Sequence, residues 1–175
     1  MAGLGERLQA WGFSWAGLRD NRHGEWWLIA QMLLITAHLL PPVRIGPDWP
    51  PPLRILGIAV FVAGLALGAQ GTLHLGESLS PLPEPMPDAA LVTEGAYGRC
   101  RHPLYQALLV ASLGVTLAYG SLLHLALLLL LAWVLGSKAR REEEGLCRLH
   151  PDYADYRART PAILPFLPWL DWRSA

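Results

Sequence analysis

Cysteine is nearly absent from this chain. Cys100 and Cys147 are the two in 175 residues, with no CxxC pair and no disulfide framework, which reads as free thiols in a reducing setting. Charge is scarce as well: 16% of residues are Asp, Glu, Lys or Arg, and the formal net charge is zero. With no basic face, nucleic acid is excluded as a partner. The long apolar runs contain no Asp or Glu, although ion-coupled transporters usually keep an intramembrane carboxylate. His23, His38, His74, His124 and His150 lack metal-ligand spacing, so no metal site is expected. Glycines recur at Gly57, Gly64, Gly68 and Gly71, but no βαβ unit surrounds them, which removes the dinucleotide-loop reading. Glu6, Arg7, Arg19, Asp20 and Arg22 interrupt the region before Trp26, so no signal peptide is expected.

What is present in quantity is apolar sequence. Hydrophobic residues make up 53% of the chain, too many for an ordinary soluble domain. The reading is an all-α, polytopic membrane protein of a single domain, with about four transmembrane helices and a cytoplasmic C-terminal cofactor-binding region. Residues 1–25 read as an interfacial segment, because Leu4, Leu8, Trp11, Trp15 and Leu18 share one helical face. A frayed arm is the alternative, given the helix-weakening Gly3, Gly5, Gly12 and Gly17. Residues 26–75 hold two apolar runs, Trp26–Val43 and Leu53–Leu75, each close to the roughly 20 residues that cross a bilayer. In the second, Gly64-x-x-x-Gly68 would admit a close helix neighbour. Residues 104–137 read as a helical hairpin, Leu104–Tyr119 and Leu122–Gly136, turned at Gly120-Ser121.

The polar residues suited to chemistry fall into two segments, 76–105 and 138–175. Arg99, Arg101, Lys138, Arg140, Arg141, Arg148, Arg157, Arg159 and Arg173 share one side with the N-terminal arginines. The other side has Arg44 and Arg54. The positive-inside rule then puts both termini and the 76–105 loop in the cytoplasm. Because the hairpin enters and returns, the two segments meet at the same membrane surface.

Within them, Leu-Val-Thr-x-Gly-x-Tyr-x-x-x-Arg-His-Pro-x-Tyr at 91–105 is followed by Glu-Glu-x-x-Leu at 142–146, then Tyr153-x-x-Tyr156 and a Pro-ended tail. This ordered set resembles the isoprenylcysteine carboxyl methyltransferase family and its phospholipid methyltransferase relatives. Leu75 to Pro83 looks like the lead-in of bacterial members. The resemblance covers roughly the C-terminal 100 residues. It implies an integral membrane enzyme using S-adenosyl-L-methionine. By position it implies cofactor contacts from Ala90, Leu91, Val92, Tyr97, His102, Pro103, Leu104, Tyr105 and Glu142. It also implies a substrate contact from Lys138, where several relatives carry Arg; Lys keeps the charge but loses the two-pronged fork. His150 stands where Phe is usual.

Methyl transfer from a sulfonium to a carboxylate needs no general base, since the carboxylate is already ionised near neutral pH. Alignment with water excluded then carries the reaction. Lys138, Glu142 and His102 are the candidate catalytic residues, and Lys138 with Arg141 the candidate substrate-binding pair. Arg140 is a further candidate for steering an anionic head. Plainer roles stay open: Arg99 and Arg101 on lipid phosphates, His102 shaping a helix entry before Pro103, Glu142–Glu144 as a solvated face, Tyr153 and Tyr156 as interfacial anchors. Cys100 and Cys147 read as bystanders, with a lowered pKa at Cys100 beside Arg99 and Arg101 as the alternative. The expected partners are a lipophilic or prenylated small-molecule substrate and membrane lipids, with no obligate protein partner. The expected activity is carboxyl O-methylation of an isoprenylcysteine-like acid. Phospholipid headgroup N-methylation and a non-catalytic membrane scaffold or transport subunit are the alternatives.

Overall fold

A computed structural model describes residues 15–21, 23–43, 49–76, 80, 82–83 and 90–173. The Leu4–Trp11 part of the expected amphipathic segment lies outside them, as does Arg44. Among the described residues there are six helices and no strand: α1 Trp15–Asp20, α2 Glu25–Ala37, α3 Pro51–Leu75, α4 Pro103–Tyr119, α5 Leu122–Leu149 and α6 Tyr153–Arg159.

The expected count of about four spans needs correction. Among the described residues, α3 with 25 residues and α5 with 28 are long and apolar enough to cross a membrane. The Trp26–Val43 run is helical only as far as Ala37, in a helix of 13 residues that begins at Glu25, about 20 Å at 1.5 Å per residue. It tightens into three successive turns at His38, Leu39 and Leu40, then meets Pro41-Pro42, which cannot continue a helix. α4 has 17 residues. It starts at Pro103, favourable in a first turn, and stops at Gly120 in the left-handed region.

The helices sit side by side in the order α2–α5–α4–α3. α3 and α4 approach closely because Gly57, Gly64 and Gly71 are buried, one every two turns. A Cβ on Gly64 would lie 2.5 Å from the Ala111 backbone nitrogen. Gly68, expected to share this role, has ordinary room, with Ala107 Cβ at 3.6 Å. At the far end, Val43 N–H donates to Ser121 Oγ at 3.1 Å, Leu122 N–H donates to Val43 O, and Trp49 Nε1 donates to Leu117 O at 2.6 Å.

α5 does not end where its apolar run does. Its membrane-like part closes at Gly136, and the charged part from Lys138 continues to Leu149 in one helix. The Pro-ended tail packs back onto it, so that Ala162, Ile163, Leu170 and Trp172 share a core with Leu131, Leu135 and Ala139 of α5 and Leu109 of α4. That core brings the two polar segments together.

Candidate functional site

The 91–102 segment is shaped by local turns. Tyr97 N–H bonds Glu94 O, and Arg99 and Cys100 N–H both bond Ala96 O; Gly95 takes φ +62°, which glycine tolerates at no steric cost. The tail then clamps it. Arg101 N–H donates to Pro161 O at 2.9 Å and His102 N–H to Ala162 O at 3.0 Å. Tyr156 Oη donates to Tyr97 O at 2.6 Å, and Gln106 Nε2 to Ile163 O at 3.0 Å.

The hub of this arrangement is Glu143, 2% exposed. It accepts from Arg101 Nε at 2.8 Å and Arg101 Nη2 at 3.3 Å, from Trp172 Nε1 at 2.7 Å, and pairs with His102 Nε2 at 2.9 Å. Arg101 in turn donates to Arg157 O and Thr160 O. Burial alone would raise the Glu143 carboxyl, but His102 and then the Arg101 fork outweigh it and hold it down to about 2. Glu143 thus joins the loop, α5, α6 and the tail through one carboxylate.

One residue earlier, Glu142 points elsewhere, because neighbours on a helix are turned by about 100°. Its Oε2 accepts from Tyr105 Oη at 2.8 Å and lies 3.8 Å from His102 Nδ1. The His102 ring stacks on Tyr105, centroids 5.3 Å apart. Glu142 lines a cavity of about 810 Å³, counted with its open mouth.

Of the cofactor positions expected from sequence, Ala90, Leu91, Val92, Tyr97, His102, Leu104, Tyr105 and Glu142 line this cavity. Pro103 does not; it is buried as the first residue of α4. Neither substrate candidate lines it. Lys138 is 1% exposed, sits 5.3 Å from the centre of the Tyr105 ring and donates to Gln31 Oε1 of α2 at 2.8 Å. Arg141 lies against Gly24 at the start of α2. Arg140 is engaged by the tail, donating to Trp169 O with its guanidinium 4.2 Å over Trp172.

Other residues enter that the sequence reading placed elsewhere. Arg101 is buried against Glu143 rather than offered to lipid phosphates, while Arg99 Nη2 donates to Gln70 Oε1 of α3. Tyr153 and Tyr156 are buried cavity walls instead of interfacial anchors, and burial raises both phenols. Leu146 and His150 complete the floor beside them, with Leu75, Ser80 and Leu82 from the lead-in segment. Cys100 is corrected in sign: burial pushes its thiol up to about 11, more than the neighbouring arginines lower it. Among the described residues no group of three or more His, Cys, Asp or Glu could hold a metal ion.

A family model described as phospholipid methyltransferase matches residues 53–150, which takes in α3, the loop, the hairpin and the Glu142–Glu143 pair. The chain belongs to the phospholipid methyltransferase family. The match reaches further toward the N-terminus than the motif resemblance and stops before the Tyr153–Tyr156 stretch. Two relatives carry metal-resistance names. The cobalt-zinc-cadmium resistance protein CzcN of Cupriavidus metallidurans is 31% identical over 155 residues, 86% of this chain and 66% of that protein. The nickel-cobalt-cadmium resistance protein NccN of Alcaligenes xylosoxydans xylosoxydans is 43% identical over 79 residues, 44% of this chain and 37% of that protein. The protein-S-isoprenylcysteine O-methyltransferase of Schizosaccharomyces pombe is 32% identical over 83 residues, 46% of this chain and 35% of that protein. The chain therefore spans just under two thirds of one of these relatives and little more than a third of the other two.

Proposed function

We propose that this member of the phospholipid methyltransferase family moves a methyl group from S-adenosyl-L-methionine to a lipophilic acceptor at the cytoplasmic face of a membrane. The observation that carries the proposal is the cavity at the join of the 90–105 segment and α5, with Glu142 exposed to it and Glu143 fixing its frame. The donor set fits the cofactor's chemistry. Glu142 accepts from ribose hydroxyls or pairs with an ammonium, and the Tyr97 ring in the cavity wall suits a cation, a contact worth ~0.5–2 kcal/mol. Leu91, Val92, Leu104 and Leu146 give a dry wall for a base. When bound, the cofactor supplies a methyl group activated by the sulfonium charge.

The residues of this chain then orient and exclude water. Tyr105 holds Glu142 through its hydroxyl, and His102 is held on Glu143 with its ring against Tyr105. Lys138 is buried behind that ring, outside the cavity lining, set by Gln31 of α2, and would act on an acceptor through its field and not by contact. For a carboxylate acceptor such a cation draws the anion into line and no proton needs to move. Carboxyl O-methylation of an isoprenylcysteine-like acid is accordingly the first substrate assignment, and N-methylation of a phospholipid headgroup, consistent with a family described as phospholipid methyltransferase, is the second.

We further infer a multi-pass arrangement with both termini cytoplasmic. α2 and α4 are short, yet both run beside α5 between the same two ends: Gly24 lies against Arg141 and His102 meets Glu143 at one, and Val43 meets Ser121 at the other. The deciding experiment for the acceptor is labelled methyl transfer by the purified protein to a farnesylcysteine analogue against phosphatidylethanolamine. Transfer to the first alone supports the carboxyl reading, and transfer to the second alone replaces it. The names of the two bacterial relatives give a physiological setting to test. If methyl transfer serves metal tolerance here, a deletion strain challenged with cobalt or cadmium is rescued by the wild-type gene and not by Glu142→Ala.

A further inference from the structure

A second concavity runs along the apolar part of the bundle, away from the cofactor cavity. Counted with its open side it measures about 1530 Å³, and it lies where α2, α3 and α4 face one another. Ile58, Phe61 and Leu65 of α3 form one wall, and Leu108 and Val115 of α4 the base. Its inner polar pair is satisfied internally. The His38 ring is held between Leu34 O at 2.7 Å and Ser112 Oγ at 2.5 Å, so the nitrogen facing the carbonyl carries the proton and the other accepts from the serine.

Arg54 differs. It lines the rim of the groove in the first turn of α3. Its Nε is shielded from water with no acceptor, and its guanidinium makes no hydrogen bond or ion pair with any described residue. A partly buried guanidinium without a partner calls for an anion, and its planar fork suits a phosphate or carboxylate.

The dimensions identify the occupant. Arg54 to Leu65 is roughly 16 Å along the helix, about half of a ~30 Å hydrocarbon core. The groove is therefore one leaflet deep, charged at its water end and apolar to the midplane. A partner helix would need a seat along the whole span. Leu75, where the cofactor cavity begins, is a further ~15 Å on. The groove faces the opposite leaflet from the proposed methyl transfer.

We propose that this groove binds one anionic lipid of that opposite leaflet, with its phosphate or carboxylate head on Arg54 and an acyl chain against Ile58, Phe61 and Leu65. The assignment rests on α3 crossing the membrane and not on the methyl-transfer reading. The test uses the full chain purified in detergent, stripped of lipid and then supplied with phosphatidylglycerol or phosphatidylcholine, retained lipid being counted by native mass spectrometry. Expected are one phosphatidylglycerol per chain, a preference over phosphatidylcholine of roughly fivefold or more, loss of that preference in Arg54→Gln, and its survival in Arg54→Lys. Val115→Trp, which fills the groove, should displace the lipid. Helical circular dichroism reports folding of each variant whether or not the protein binds cofactor. Equal retention of the two lipids, an unchanged preference in folded Arg54→Gln, or displacement by millimolar inorganic phosphate overturns the proposal.

Discussion

Replacing Glu143 by Gln tests the frame of the site at its centre. The variant keeps the shape but presents an amide N–H₂ where the carboxylate now accepts from Arg101, Trp172 and His102. At least one buried donor then faces another donor, and the Arg101 guanidinium, with a fully buried side chain, loses its counter-charge. Breaking a buried pair from one side costs about 3–5 kcal/mol. The environment of the carboxyl leads to a similar figure: lowering it from 4.5 to about 2 corresponds to roughly 3 kcal/mol. For a chain of this size that is a fall in Tm of about 6–12 °C. The assay is thermal unfolding in detergent followed by intrinsic fluorescence, since the chain has eight tryptophans and Trp172 sits on the hub. Glu144→Gln, at an exposed neighbour, serves as control and should stay within about 0.5 kcal/mol. The pH dependence has a definite sign. A depressed carboxyl stabilises fully above its unfolded value, near 4.5, and that contribution is lost as pH falls through about 2. The gap between wild type and Glu143→Gln should therefore be wide at pH 7, hold to pH ~5, and narrow below pH ~4.5. A variant melting with wild type at pH 7 would show that Glu143 does not hold the loop, α5 and the tail together.

Further outcomes follow from other contacts. Gly64→Val forces a side chain into the Ala111 backbone and should cost about 1–3 kcal/mol, whereas Gly68→Ala meets ordinary contact and should be neutral or slightly stabilising; paired melting curves decide. Cys147 is exposed while Cys100 is buried with its thiol pushed up to about 11, so a maleimide at neutral pH should label the native protein once, at Cys147, and twice only after unfolding. Lys138→Ala should lose methyl transfer to a carboxylate acceptor and keep cofactor binding; loss of both would show that it supports the Tyr105 wall rather than the acceptor.

The apolar runs and the two polar segments were legible in the sequence because composition alone separates them. Helix lengths were less so. Trp26–Val43 reads as a span by hydropathy, but the turns at His38–Leu40 and the prolines after them decide where helix stops. The α3–α4 contact uses Gly57, Gly64 and Gly71 rather than the Gly64–Gly68 pair, a choice set by which face α4 presents. The cavity wall was legible through an ordered motif. The role of Glu143 was not: it is a neighbour of Glu142 in sequence, and only the docking of Trp172, twenty-nine positions later, and the return of Arg101 show that it faces inward. Lys138 likewise sits behind Tyr105 because Gln31, on a helix remote in sequence, draws it there.

The proposed binding of S-adenosyl-L-methionine in the cavity on Glu142 has a direct test. Calorimetry on the purified, folded protein should show saturable one-to-one binding of S-adenosylhomocysteine. Glu142→Ala should weaken it by about 10-fold or more, the loss of one hydrogen bond to a charged group, while Arg54→Gln leaves it unchanged. No binding by protein that is folded by circular dichroism, or full affinity in Glu142→Ala, would show that this cavity is not the cofactor site.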